Sequence, residues 1–98
     1  MTLADFNSSL SQDDPPVGLP LPLQSLWWDA KGDWDRAHAL VNDLGTPDAM
    51  SVHAYLHRKE GDEANASYWY RRAGSGFRRP TLAQEWAELV AAQLADED

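Results

Sequence analysis

Two histidines four residues apart, His53 and His57, are the residues whose type and spacing point most directly to chemistry. On a helix that spacing puts both imidazoles on one face, where they can chelate Zn²⁺ or a related ion. His38, on what reads as the preceding helix, can add a third nitrogen. Ala54, Tyr55 and Leu56 lie between the pair, so the carboxylate of an HExxH zinc site is missing. The competing account has the histidines bordering an apolar stripe and hydrogen-bonding to neighbouring helices or water. Spacing alone favours that structural account, and no cofactor is expected.

A second candidate is basic. Arg71, Arg72, Arg78 and Arg79 flank the turn Gly74-Ser75-Gly76. Guanidinium forks beside free backbone N–H groups can hold a carboxylate or phosphate. No strand precedes these glycines and no Lys-Ser/Thr follows them, which argues against a nucleotide loop. The patch can meet the chain's own acids, among them Asp96, Glu97 and Asp98, or an acidic peptide of a partner.

The third candidate is aromatic. Successive helical side chains point about 100° apart, so Tyr68, Trp69 and Tyr70 cannot all face inward. Tyr68 or Trp69 must turn away from Tyr70, and Trp27 and Trp28 must likewise part. Trp28, Tyr68 and Trp69 are therefore candidate partner-binding rings beside the four arginines. No carboxylate pair, Ser-His-Asp set or other nucleophile can be assembled with any specificity, so catalysis is not expected. Asp29, Asp33 and Asp35 read as turn and capping residues.

The totals narrow the setting. At 98 residues there is room for one modest core, and 43% apolar residues with five Trp supply it. A net charge of −8 argues against nucleic acid, whose phosphates would be repelled. No apolar run approaches a membrane span, and no leader-like apolar stretch follows Met1. With no cysteine to oxidise, a cytoplasmic location is expected.

The elements that must position these residues read as helices throughout. Residues 1–20, rich in Ser, Asp and Pro, read as an irregular arm that must dock on its own domain or in a neighbour's groove. Leu23, Leu26, Trp27 and Ala30 form one stripe over about 22–31. Gly32-Asp33 then restarts the chain into about 34–44, with Ala37, Leu40, Val41 and Leu44. Thr46-Pro47 opens a helix over about 47–60, and Gly61-Asp62 leads into about 63–73. Thr81 and Gln84 make a capping box for a last helix over about 82–95. That helix sets Leu82, Trp86, Leu89, Val90 and Leu94 on one side and Glu85 and Glu88 on the other.

One unit is used twice. Gly32 to Gly45 and Gly61 to Gly74 align at an offset of 29 residues, with Gly-Asp entries, Ala37 on Ala66 and Val41 on Tyr70. The segment HAYLHRKEGDEANASYWYRRAG resembles a tetratricopeptide (TPR) hairpin, and its WYRRAG end is similar to the Sel1-like variant. In this resemblance Ala54 and Ala66 take the small positions, Gly61 the turn, Tyr70 the bulky position and Ala73 the next small one. Ser25, Ala37, Gly32, Val41 and Leu44 are their counterparts in the first copy. It implies an all-α domain over 21–95: two TPR/Sel1-like antiparallel hairpins (about 21–45 and 47–74), a C-terminal capping helix (about 82–95) and an acidic tail at 96–98. It also implies a non-catalytic protein- or peptide-binding module. The arm and the outer rings are compatible with a homodimer. The alternative, from another class, is a metal-binding protein or metal-dependent enzyme using His53, His57 and His38.

Overall fold

The computed structural model describes residues 1–76 and 80–96. It is all-α: α1 (Leu3–Ser9), α2 (Leu21–Ala30), α3 (Trp34–Val41), α4 (Pro47–Glu60), α5 (Glu63–Arg72) and α6 (Leu82–Asp96), with no strand among the described residues. None of these helices is long and apolar enough to cross a membrane. The helix α2 pairs with α3 and α4 pairs with α5, while α2 and α4 touch each other and both touch α6.

The two hairpin turns have the same construction. Gly32 and Gly61 sit at φ 87° and 91°, the left-handed region that a Cβ makes costly. In each, the glycine N–H returns to a carbonyl three residues back, Asp29 or Arg58. The N–H of the next residue returns five residues, Asp33 to Trp28 and Asp62 to His57, closing a Schellman end. Asp33 and Asp62 then cap α3 and α5 by accepting from the N–H of Arg36 and Asn65. Thr46 caps α4 ahead of Pro47, and Thr81 and Gln84 form the reciprocal box that starts α6. The helix α3 stops at Val41, three residues short of expectation, because Asn42 and Asp43 are poor helix formers and the chain turns there.

Close approach within each hairpin rests on small residues. Ser25 and Ala37 are both fully buried, and the Ser25 hydroxyl donates to the Ala37 carbonyl at 2.7 Å. Ala54 and Ala66 are buried against Tyr70. The main core collects Leu23, Leu26, Trp27, Val41, Val52, Leu56 and Val90.

Two expectations are corrected. The arm is not irregular throughout: Thr2 and Asp5 form a capping box, and α1 docks on its own chain. Phe6 is fully buried with its ring 5.8 Å from that of Trp86, and the Trp27 indole N–H donates to Ser9 Oγ. One apolar residue per turn is a weak sequence signal, yet it is enough when a pocket waits for it. Glu85 does not face water with Glu88. It is fully buried, accepting from the Arg58 guanidinium at 2.7 Å and from the Tyr70 hydroxyl at 2.5 Å. The second Arg58 nitrogen donates to the Pro80 carbonyl.

Candidate metal centre

His38 on α3 and His53 and His57 on α4 converge where α3, α4 and α5 meet. Their ring centroids form a near-equilateral triangle, 4.8 Å for His38–His53, 4.8 Å for His53–His57 and 5.2 Å for His38–His57. Each ring offers a nitrogen within 4.8 Å of the other two, and the Nε2 atoms of His38 and His53 are 3.1 Å apart. In a tetrahedral shell with metal–nitrogen bonds of about 2.0–2.1 Å, two ligand nitrogens lie about 3.4 Å apart and their ring centroids about 5 Å apart. The ring centroids already stand at that spacing, and the nitrogens need only small adjustments from within 4.8 Å of one another.

The surroundings fix the rings. Trp34, one turn before His38, stacks on it at 4.9 Å and 8° and donates its indole N–H to the Leu56 carbonyl. Trp69 of α5 stacks on His53 at 4.0 Å and 21°. Glu60, one turn after His57, takes that ring's Nδ1 at 2.8 Å. This directs the Nε2 of His57 away from the carboxylate, the arrangement by which second-shell acids orient imidazole ligands.

His53 is 2% exposed, and its Nδ1 has no hydrogen-bond partner. Whichever tautomer it takes against His38, one buried ring nitrogen stays unpaired, at a cost of about 1–3 kcal/mol. Charging it is harder still. Burial, and then the neighbouring His57 and His38, push the His53 imidazole down to about 4. Burial and His57 also lower His38, against smaller opposing pulls from Glu60 and Asp35. Both rings are thus neutral near pH 7, the form that ligates metal.

The other candidates are dispersed. Trp28, partly buried, meets Trp27 edge-on at 4.9 Å and carries the Arg36 guanidinium 4.1 Å from its ring centroid. Tyr68 is 45% exposed, with the Arg72 guanidinium 5.5 Å from its ring and 5.3 Å from that of Trp69, which walls the histidine cluster. Arg71 and Arg72 are exposed in the last turn of α5. Arg78 and Arg79, and the last two residues of the acidic tail, lie outside the described residues.

Sequence reasoning missed Trp34 and Glu60, although each falls one turn from a histidine on the same face. It also misread Asp29, which is no turn residue. Buried in α2, Asp29 accepts from the Tyr55 hydroxyl at 2.8 Å and from Lys59 Nζ at 2.9 Å. These groups border a separate, largely apolar pocket of about 330 Å³, also lined by Asn7, Leu10 and Trp86, on the other side of α4 from the histidines. Fold and site together define an all-α protein of two helical hairpins with a three-histidine cluster between them. No protein family, curated protein or solved structure matches the chain.

Proposed function

We propose that this chain is a small helical metal-binding protein in which His38, His53 and His57 hold one divalent transition ion. The observation that carries the reading is the triangle of three imidazoles from two helices, with a nitrogen of each within 4.8 Å of the others. All-nitrogen donors suit Zn²⁺, Cu²⁺, Ni²⁺ or Co²⁺, and disfavour Mg²⁺ and Ca²⁺, which take oxygen. Glu60 supports the reading as the acid that sets the His57 tautomer. The scaffold reads as TPR- or Sel1-like, supported by the matching Gly32 and Gly61 turns and the buried small pairs.

Protein purified without a histidine tag should carry or take up one Zn²⁺ per chain. At a free concentration of about 100 times Kd, binding contributes about 2.7 kcal/mol, which in a chain of this size raises Tm by on the order of 10 °C or more. His38→Ala, at the most accessible ring, should lose that shift while keeping its helical circular dichroism. An unmoved Tm and no metal by elemental analysis would remove the reading.

A second reading, a module for an acidic protein or peptide, is favoured by one observation. Tyr68 stands exposed under Arg72, with Arg71 beside it, and Arg with Tyr is a common interface pairing. The two readings meet at Arg72, whose guanidinium lies 5.5 Å from the Tyr68 ring and 5.3 Å from Trp69, the ring that stacks on His53.

A further inference from the structure

The triangle supplies three donors, and a tetrahedral ion takes four. We propose, resting on the metal reading above, that the centre keeps its fourth position open on the His38 side and binds a small monodentate anion there. Among the described residues the histidine group closes at three ligands, and the chain has no cysteine to complete it.

The nearest carboxylates are committed elsewhere. Glu60 is held at Nδ1 of His57 at 2.8 Å. Asp62 accepts from the Asn65 N–H at the start of α5.

Access comes from one direction. His53 and His57 are buried, at 2% and 7% exposure, whereas His38 is only partly so. Trp34 and Trp69, stacked on His38 and His53, flank the cluster with flat indoles, which favours a ligand of few atoms. Charge selects its sign. Three neutral imidazoles leave the ion's two positive charges intact, and a ligand bound directly to the ion meets them more closely than it meets the carboxylates of Glu60, Asp62 and Asp35 around the cluster. A water-sized anion such as azide, or a carboxylate bound through one oxygen, fits both limits. Three histidines with a free fourth place make the donor set of a reactive zinc centre, whereas structural zinc sites are closed by four protein ligands.

Co²⁺ makes the fourth position visible, because its d–d bands respond to coordination number and donor type. The untagged protein, loaded with one Co²⁺ per chain, is titrated with azide and separately with acetate. The expected result is an intense visible spectrum that shifts saturably with each anion, with zinc competing the cobalt away. An intense spectrum that no anion alters would overturn the open position and leave the metal reading standing. No visible spectrum at stoichiometric Co²⁺, with no Zn²⁺ uptake either, would overturn the metal reading and this inference with it. His38→Ala, checked for folding by circular dichroism, should lose the spectrum. If it keeps an unchanged spectrum and anion response, the position is not where His38 places it.

Discussion

Tyr55 and Lys59 leave α4 on one side, and His53 and His57 leave it on the other, two residues out of step along the same helix. On the first side each buried carboxylate oxygen has its own donor. Asp29 takes Lys59 on Oδ1 and Tyr55 on Oδ2, and Glu85 takes Arg58 on Oε1 and Tyr70 on Oε2. Charge is brought inside and fully answered by the chain. On the histidine side the acid Glu60 faces an imidazole, at His57 Nδ1, and Nδ1 of His53 is buried with no hydrogen-bond partner. The first pattern ties helices together, joining α2 to α4 and α4 and α5 to α6. The second leaves bonding capacity for something that is not part of the chain.

The largest expected effect lies in the answered networks. Glu85→Ala strands the Arg58 guanidinium, which is mostly shielded from water, and leaves the Tyr70 hydroxyl without this acceptor. Breaking a buried pair by removing one partner costs about 3–5 kcal/mol, so urea unfolding should show a loss of that size. A loss under about 1 kcal/mol would mean that Glu85 is not what binds α6 to the hairpins. The contrast between the two sides would then fail. Replacing the pair with matched apolar residues need not destabilise, because the penalty belongs to the stranded charge.

Acid probes the other side. An imidazole near pKa 6.5 in the unfolded chain and about 4 in the folded one binds protons mainly when unfolded over that interval. The unfolded state therefore gains as pH falls from 6.5 toward 4, and stability falls with it. For His53 alone the loss between pH 7 and pH 5 in metal-free protein is about 2 kcal/mol. His57 and His38 act in the same direction on His53 through charge repulsion, while Glu60 and Asp35 oppose the effect at His38. Unfolding midpoints at the two pH values measure this loss, and His53→Phe should flatten the dependence. A midpoint insensitive to pH over this range would mean that the cluster is already protonated or hydrated in the folded state.

How much of this was legible in the residues depends on whether the signal is local. The Gly-Asp turns, the Thr46-Pro47 start and the Thr81/Gln84 box need only neighbours in sequence, and α4 begins and ends where those neighbours put it. The pairing of His53 with His57 is local too, through helical pitch. His38 was legible only as a candidate, because its 3.1 Å approach to His53 depends on how α3 packs across α4. Trp69 read as a surface ring because the register against Tyr70 leaves its direction open between solvent and a neighbouring helix. Glu85 was misplaced for a different reason. Amphipathic patterns assign every carboxylate to water, and only the arrival of Arg58 and Tyr70 from other helices makes its burial tolerable.

The smallest expected effect separates two adjacent residues of α5. Tyr68 turns to solvent under Arg72, and the hydrogen bond between them is long, at 3.4 Å. Exposed contacts of this kind are worth about 0.5–1 kcal/mol at most, so Tyr68→Ser with Arg72→Ser should barely move the unfolding midpoint. It should also leave Zn²⁺ uptake unchanged, since Trp69, although Arg72 lies 5.3 Å from its ring and Tyr68 meets it edge-on, is held in place by its stacking on His53. What the double variant should lose, if this rim grips a partner, is retention of an acidic peptide that the unsubstituted protein holds at the same ionic strength. A tenfold fall in Zn²⁺ affinity in this variant would contradict the division. Tyr68 and Arg72 would then have to steady the indole that steadies the histidine, and the outer rim would count as part of the centre.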